Sequence, residues 1–226
     1  MTLNRLRALF GGKSPTPPSG RRVVPLADYD AALKGELKQL PQQTQAAFAA
    51  ACAERLYPAY AAFVQASGRD DQGLIRRTLD LAWDGARSGV VAVDDPAGLF
   101  EQCVALIPDD ESEEDAIPAH ADDAMASVAY ALQAAAGLDA KAAGWAAEQV
   151  TNCLDTFLLS NEIDISAPDA EQRVWEHPLV VTEVHRRNED LRRLAESPDW
   201  ETAVDAVRAT SAGVSALPLD RLGHEA

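Results

Sequence analysis

The chain has 226 residues, 47% of them hydrophobic, and carries 36 acidic against 20 lysine and arginine side chains, for a net charge of −16 and a pI near 4.5. This length is enough for one substantial core, and we expect a single folded domain. Nucleic acid and anionic membrane surfaces would be repelled by so acidic a chain, so we expect neither as a partner. A basic protein partner is favoured instead.

The N-terminal segment differs in charge from the rest of the chain. Its first 26 residues contain five basic side chains and no acidic one. The stretch from Gly11 to Gly20 is rich in glycine, proline and serine, a composition typical of a flexible linker. We predict a basic flexible arm over 1–26, an acidic all-helical domain over 27–212 and a C-terminal tail over 213–226. Whether the arm recognises a partner or lies loosely on the acidic body stays open.

The cysteines and the apolar runs indicate a cytoplasmic protein. Cys52, Cys103 and Cys153 lie about fifty residues apart, without the close pairs that zinc sites and disulfide frameworks use, so we expect reduced core thiols. No apolar run approaches the ~20 residues needed to span a bilayer. Arg5 and Arg7 interrupt the apolar patch at the N-terminus, so we expect neither a secretion signal nor a membrane anchor.

Hydrophobic residues recur every three or four positions through most of the chain. Val180, Val184, Leu191 and Leu194 illustrate this spacing, which is the period of one helix face. Long alanine-rich stretches agree with it, because alanine is the best helix former. We predict an all-α fold, a single-domain antiparallel multi-helix array. The predicted helices span 27–39, 42–66, 71–88, 95–106, 119–136, 139–160, 177–196 and 198–211.

Four segments resemble a known family. They are LPQQTQAAFAAACAERLYPAYAAF from Leu40, LIRRTLDLAWD from Leu74, ALIPDDESEEDAIPAHADDAMASVAYAL from Ala105 and HPLVVTEVHRRNEDLRRL from His177. In this order they are similar to the segments of the YjaG-like proteins, a bacterial domain-of-unknown-function family described as all-helical. The resemblance covers about residues 28–211. It implies the helical fold and supplies no reaction and no cofactor.

The second predicted helix carries two charges inside a wall of alanine. Glu54 and Arg55 are the only charged residues between Ala46 and Val64, and a buried charge needs a partner. Pro58 removes the backbone donor for the carbonyl of Glu54 and should kink the helix there. A candidate pocket therefore includes Glu54, Arg55 and Tyr60. The alternative interpretation is structural, with Arg55 tying loop carbonyls and Glu54 pairing with a neighbouring helix.

The sequence offers no catalytic motif. His177, Glu183 and His185 have the residue types of metal ligands but not the spacing that places two imidazoles on one helix face. No nucleophile elbow, glycine-rich phosphate loop or triad candidate is found. We expect no enzymatic activity, no metal and no cofactor.

The segment from Asp109 to Asp115, the acidic run, is the most unusual feature. Six of its seven residues are carboxylates, and the two acids Asp122 and Asp123 follow without an intervening lysine or arginine. The dipole of the helix starting near Ala119 stabilises carboxylates in its first turn, which accounts for the last two. The other six fit either a solvated loop or a surface for a basic partner. The candidate partner-binding residues are Asp109, Asp110, Glu111, Glu113, Glu114, Asp115, Asp122 and Asp123.

Two functions follow from these features. The first is a non-catalytic interaction protein that covers a basic surface of its partner, as an immunity-type inhibitor covers the nucleic-acid-binding face of a toxin. The second is a housekeeping YjaG-like protein with a small-molecule or protein site around Glu54 and Arg55. Charge favours the first. The oligomeric state stays open.

Overall fold

The computed structural model describes residues 26–69, 71–107 and 118–224. These residues form nine α-helices and a short 3₁₀-helix and contain no β-strand, which confirms the predicted all-α fold. The α-helices are α1 (Leu26–Leu37), α2 (Gln42–Ser67), α3 (Leu74–Ser88), α4 (Pro96–Val104), α5 (Ala119–Ala135), α6 (Ala142–Asn161), α7 (Ala170–Glu176), α8 (Pro178–Glu196) and α9 (Trp200–Ala212). The 3₁₀-helix covers Leu219–His224.

Helix α2 lies at the centre of the array. It packs against α3, α5, α6, α8 and α9, and residues 46–56 are buried without exception. Alanine fills most of these positions, and its short side chain lets neighbouring helices approach closely. Helix α2 is therefore surrounded by other helices at these positions.

Local sequence signals set several helix ends. Gly68 and Gly89 follow α2 and α3 with φ of 69° and 80°, the left-handed conformation that glycine adopts without steric cost. Asp95 accepts a hydrogen bond from the N–H of Gly98 and so caps α4. Pro178 occupies the first turn of α8, where its missing N–H leaves no helical bond unmade.

The proline inside α2 does not end the helix, which continues to Ser67. Pro58 has no N–H to offer to the carbonyl four residues earlier. The carbonyl of Arg55, the residue after Glu54, accepts a hydrogen bond at 2.9 Å from the N–H of Ala216, in the C-terminal segment. Ala216 and Leu217 are both buried. The segment after α9 therefore packs on α2 at the turn that contains the proline.

Helix α7 is absent from the sequence-based prediction, because its seven residues are too few to establish a period. The three cysteines are buried and free. Within the described ranges, no helix is both long and apolar enough to span a membrane. The predicted arm lies outside the described residues except for its last position, and the domain boundaries stay a prediction.

Candidate functional site

Arg55 is fully buried and directs its guanidinium toward α8. Its Nε donates to both carboxylate oxygens of Glu183, at 3.0 and 3.1 Å, and Nη2 donates to one of them at 2.9 Å. Nη1 donates to Asp190 at 2.7 Å and to the Ser211 hydroxyl at 3.1 Å. The Cys52 sulfur lies 3.8 Å from Nη2. All five N–H groups therefore have an acceptor, which is what a buried guanidinium requires.

Arg187 extends this arrangement one turn further along α8. Its Nε donates to Glu183 at 3.3 Å, while Nη1 donates to the Thr151 hydroxyl at 3.1 Å and Nη2 to the carbonyl of Ala147 at 3.0 Å. Asp30 lies 3.6 Å from Nη1. The second arginine thus joins α8 to α6 and α1.

We refer to Arg55, Asp30, Glu183, Arg187 and Asp190 as the Arg55 cluster. Burial raises the pKa of Asp190, and the charge and hydrogen bond of Arg55 oppose that shift. Burial also raises the pKa of Asp30, against the opposing charge of Arg187. Two guanidinium groups thus hold three carboxylates in the interior, and each carboxylate lies beside a guanidinium.

Glu54 belongs to a separate network on α3. Consecutive helical residues point about 100° apart, so Glu54 and Arg55 leave α2 on different sides. Arg76 donates to Glu54 at 2.7 and 3.1 Å, and the indole N–H of Trp83 donates to it at 2.8 Å. Arg76 also pairs with Asp80 at 2.7 Å. The side chain of Arg76 is 28% exposed, so this network opens to solvent.

Glu54, Arg55 and Tyr60, the residues of the candidate pocket, face three different surroundings. Glu54 belongs to the network on α3, Arg55 to the Arg55 cluster, and Tyr60 to a group of side chains further along α2. Tyr60 lies near the end of α2, with its ring centroid 6.2 Å from that of Tyr57. Burial and a hydrogen bond with Asp71 raise the pKa of Tyr60. The recess beside Glu183 and Arg187 measures about 10 Å³, room for no more than about one water molecule. A small-molecule pocket at these residues stays a prediction.

The acidic run lies outside the described residues, so its role as a binding surface stays a prediction. Asp122 and Asp123, which follow it, stand in the first turns of α5 and are half-buried. Burial and the charge of Asp122 raise the pKa of Asp123 to about 7. The helix dipole predicted to stabilise this carboxylate is therefore outweighed by its burial.

The residues weighed as metal ligands lie in different environments. His177 caps α8, with Nδ1 accepting from the N–H of Leu179 at 3.3 Å, and its Nε2 lies 3.1 Å from Glu162. Glu183 belongs to the Arg55 cluster, and His185 is exposed. Among the described residues, no group of three or more potential ligands is arranged to hold a metal ion.

A second recess, of about 60 Å³, lies between α1 and the start of α6. Lys34, Lys38 and Lys141 line it together with Trp145 and Gly144. Lys34 pairs with Glu148 at 2.6 Å, and the Lys141 ammonium lies 6.0 Å from the centroid of the Trp145 ring. We call this site the lysine recess. Nothing in the sequence-based prediction pointed to it, because Lys34 and Lys38 lie more than 100 positions from Lys141.

Comparison with known proteins identifies the fold independently. A family model described as "Protein of unknown function (DUF416)" matches residues 32–217. The chain also resembles the crystal structure of a DUF416 family protein from Shewanella baltica OS155, with a TM-score of 0.67 and 18% sequence identity. That match covers 81% of this chain and 95% of the other. No curated protein matches the chain.

Proposed function

The chain belongs to the DUF416 family, whose function is unknown, and we propose that it is a non-catalytic interaction protein that covers a basic surface of a partner. One observation carries the proposal. Residues 94–123, the acid-rich stretch, contain eleven carboxylates and no lysine or arginine. So many like charges repel one another, and a cationic partner would relieve that repulsion.

The described ends of the acid-rich stretch support its use as a surface. Helix α4 lies at the periphery of the array, with Cys103 as its one buried residue. Asp94, Asp95 and Glu101 are exposed on or next to this helix. The described carboxylates of this region thus extend the charge of the acidic run onto a folded element.

The buried charges support the same proposal indirectly. The arginines of the Arg55 cluster direct their N–H groups to acceptors within the fold, and the adjoining recess has room for about one water molecule. These residues therefore serve as an internal scaffold in our account. The alternative, a housekeeping YjaG-like protein with a ligand site around Glu54 and Arg55, would need this scaffold to open.

The partner class follows from charge. A protein surface rich in arginine and lysine would meet the acid-rich stretch with complementary potential, which speeds encounter and selects the partner. In its most specific form the proposal is a cytoplasmic immunity-type inhibitor that covers the nucleic-acid-binding face of a toxin.

The test compares two variants of equal charge. The first changes all six carboxylates of the acidic run to amides. The control changes six exposed carboxylates elsewhere to amides, namely Asp84, Asp164, Asp169, Glu171, Glu176 and Asp220. A partner captured from the native host by the wild type should bind the control variant with similar affinity and the first variant at least about tenfold more weakly. Equal affinities for all three proteins would overturn the proposal.

A further inference from the structure

The lysine recess brings together three lysines in a chain whose 20 basic side chains are mostly arginine. The sequence contains four lysines. Three of them lie within the described ranges, and all three line this one recess. Lysine ammonium groups are compact point charges that bind phosphate well. The recess is therefore a positive site on a protein whose net charge is −16.

The start of α6 adds to this positive potential. Lys141 directly precedes the 20-residue helix, which has no side-chain cap and no acidic residue in its first turn. A helix N-terminus carries about half a positive charge and favours anions. The nearby carboxylate of Asp139 accepts from the backbone N–H of Lys141 at 2.7 Å, which shapes the turn that leads into the helix.

A glycine makes room for the third lysine. A Cβ on Gly144 would lie 2.7 Å from Cγ of Lys34, too close for the lysine stem to keep its place. The absence of a side chain at position 144 therefore lets Lys34 cross α6 and reach Glu148 at 2.6 Å. The ion pair holds Lys34 in position beside the recess, while Lys38 and Lys141 are exposed.

The lysine recess lies at the opposite end of α5 from Asp122 and Asp123. Helices α5 and α6 are joined by a short turn, and the recess lies at this turn. Between Asp123 and its last residue, Ala135, α5 rises about 18 Å. This distance exceeds the Debye length of about 8 Å at physiological ionic strength, so the charges of these two carboxylates are largely screened at the recess.

We propose that the lysine recess binds a small phosphate-bearing molecule, a role distinct from the proposed protein-binding surface. Its volume of about 60 Å³ suits one phosphate group rather than a macromolecule. The ammonium groups of Lys38 and Lys141 bind the phosphate oxygens. The half-buried ring of Trp145 provides an apolar wall for the rest of the ligand.

The test uses inorganic phosphate and pyrophosphate as probes, with the indole N–H of Trp145 followed by NMR and assigned from the Trp145→Phe variant. Both probes should shift the wild-type signal saturably, whereas sodium chloride at equal ionic strength should not. The double variant Lys38→Gln, Lys141→Gln should bind at least tenfold more weakly. Its control, Arg77→Gln with Arg173→Gln, removes two exposed cations elsewhere and should stay within twofold of the wild type.

A second variant tests the geometry without changing the charge. Gly144→Ala should displace Lys34 and weaken phosphate binding several-fold, with helix content unchanged by circular dichroism. Absence of a saturable shift with both probes would overturn the proposal, as would equal weakening in the two charge-matched double variants. Binding to phosphatidylglycerol vesicles without binding to either free probe would also overturn it, because the ligand would then be a lipid surface.

Discussion

The carboxylates of α8 and those of the acid-rich stretch belong to the same acidic chain but are arranged in opposite ways. On α8, Glu183 and Asp190 pair with the buried Arg55, and Glu189 pairs with Arg192 and Arg193 at 2.7 and 2.8 Å. The acid-rich stretch, residues 94–123, contains eleven carboxylates and no lysine or arginine. The carboxylates of α8 are neutralised by arginines within the fold, whereas the acid-rich stretch contains no cation in its own sequence.

This difference indicates where a partner would contribute most. Paired carboxylates are already stabilised, so a partner gains little by contacting them. The raised pKa of Asp123, to about 7, shows that a carboxylate at the end of the acid-rich stretch is destabilised in its charged form. The main cause is burial, and the charge of Asp122 adds to it.

The largest effect should come from removing Arg55, the buried cation that pairs with the carboxylates of α8. Arg55→Met leaves Glu183 and Asp190 buried without their main cation, and such a loss typically costs about 3–5 kcal/mol. We expect a decrease of this size in the free energy of unfolding, measured by urea denaturation.

The control for Arg55→Met removes the partner carboxylates together with the arginine. Arg55→Met combined with Glu183→Gln and Asp190→Asn leaves no uncompensated carboxylate at these positions and should recover part of the lost stability. A single Arg55→Met variant as stable as Arg192→Met, which alters a solvent-exposed pair, would contradict the scaffold role of the Arg55 cluster.

A smaller effect should appear at Asp123, in the acid-rich stretch, and depend on pH. The folded-state pKa of Asp123, about 7, lies above the unfolded value of about 3.9, so the folded protein binds the proton more tightly. The stabilising contribution of this group is therefore present below about pH 4 and is lost as the pH rises through 7.

Asp123→Asn should remove that dependence. The variant and the wild type should be similar at pH 4, and the variant should be more stable by about 2 kcal/mol at pH 8, a value reduced for partial solvent exposure. Thermal unfolding of both proteins across this pH range gives the measurement. A stability difference that does not change with pH would contradict the assigned shift.

The smallest effect should come from the half-exposed network around Glu54. Arg76→Met removes two hydrogen bonds to Glu54 but leaves the Trp83 N–H in place, 2.8 Å away. We expect a loss of about 1–2 kcal/mol in urea denaturation, clearly below that of Arg55→Met. A loss as large as that of Arg55→Met would show that solvent does not screen this network.

Much of the fold could be predicted from the sequence because it depends on local signals. The 3.6-residue period acts within one helix, and the structure confirms the all-α fold that it predicts. Helix α7 was missed because seven residues span only two turns, too short for a period to stand out.

The partners of Arg55 could not be predicted, because they lie 128 and 135 positions away in the chain. One signal was nevertheless present. Glu183, Arg187 and Asp190 fall on the same helical face as Val180 and the later leucines of α8, which predicts their burial. The charges on the buried face of α8 could therefore have been matched with the charged pair of α2, Glu54 and Arg55, by charge complementarity.

The most direct test of the account is the rate at which the captured partner associates, measured by stopped flow at several salt concentrations. If the acidic run steers a basic partner, its six-amide variant should associate more slowly than the wild type and depend less on salt, while the charge-matched control should resemble the wild type. Equal association rates and equal salt dependence for the wild type and the six-amide variant would contradict the claim that this protein meets its partner through the acid-rich stretch.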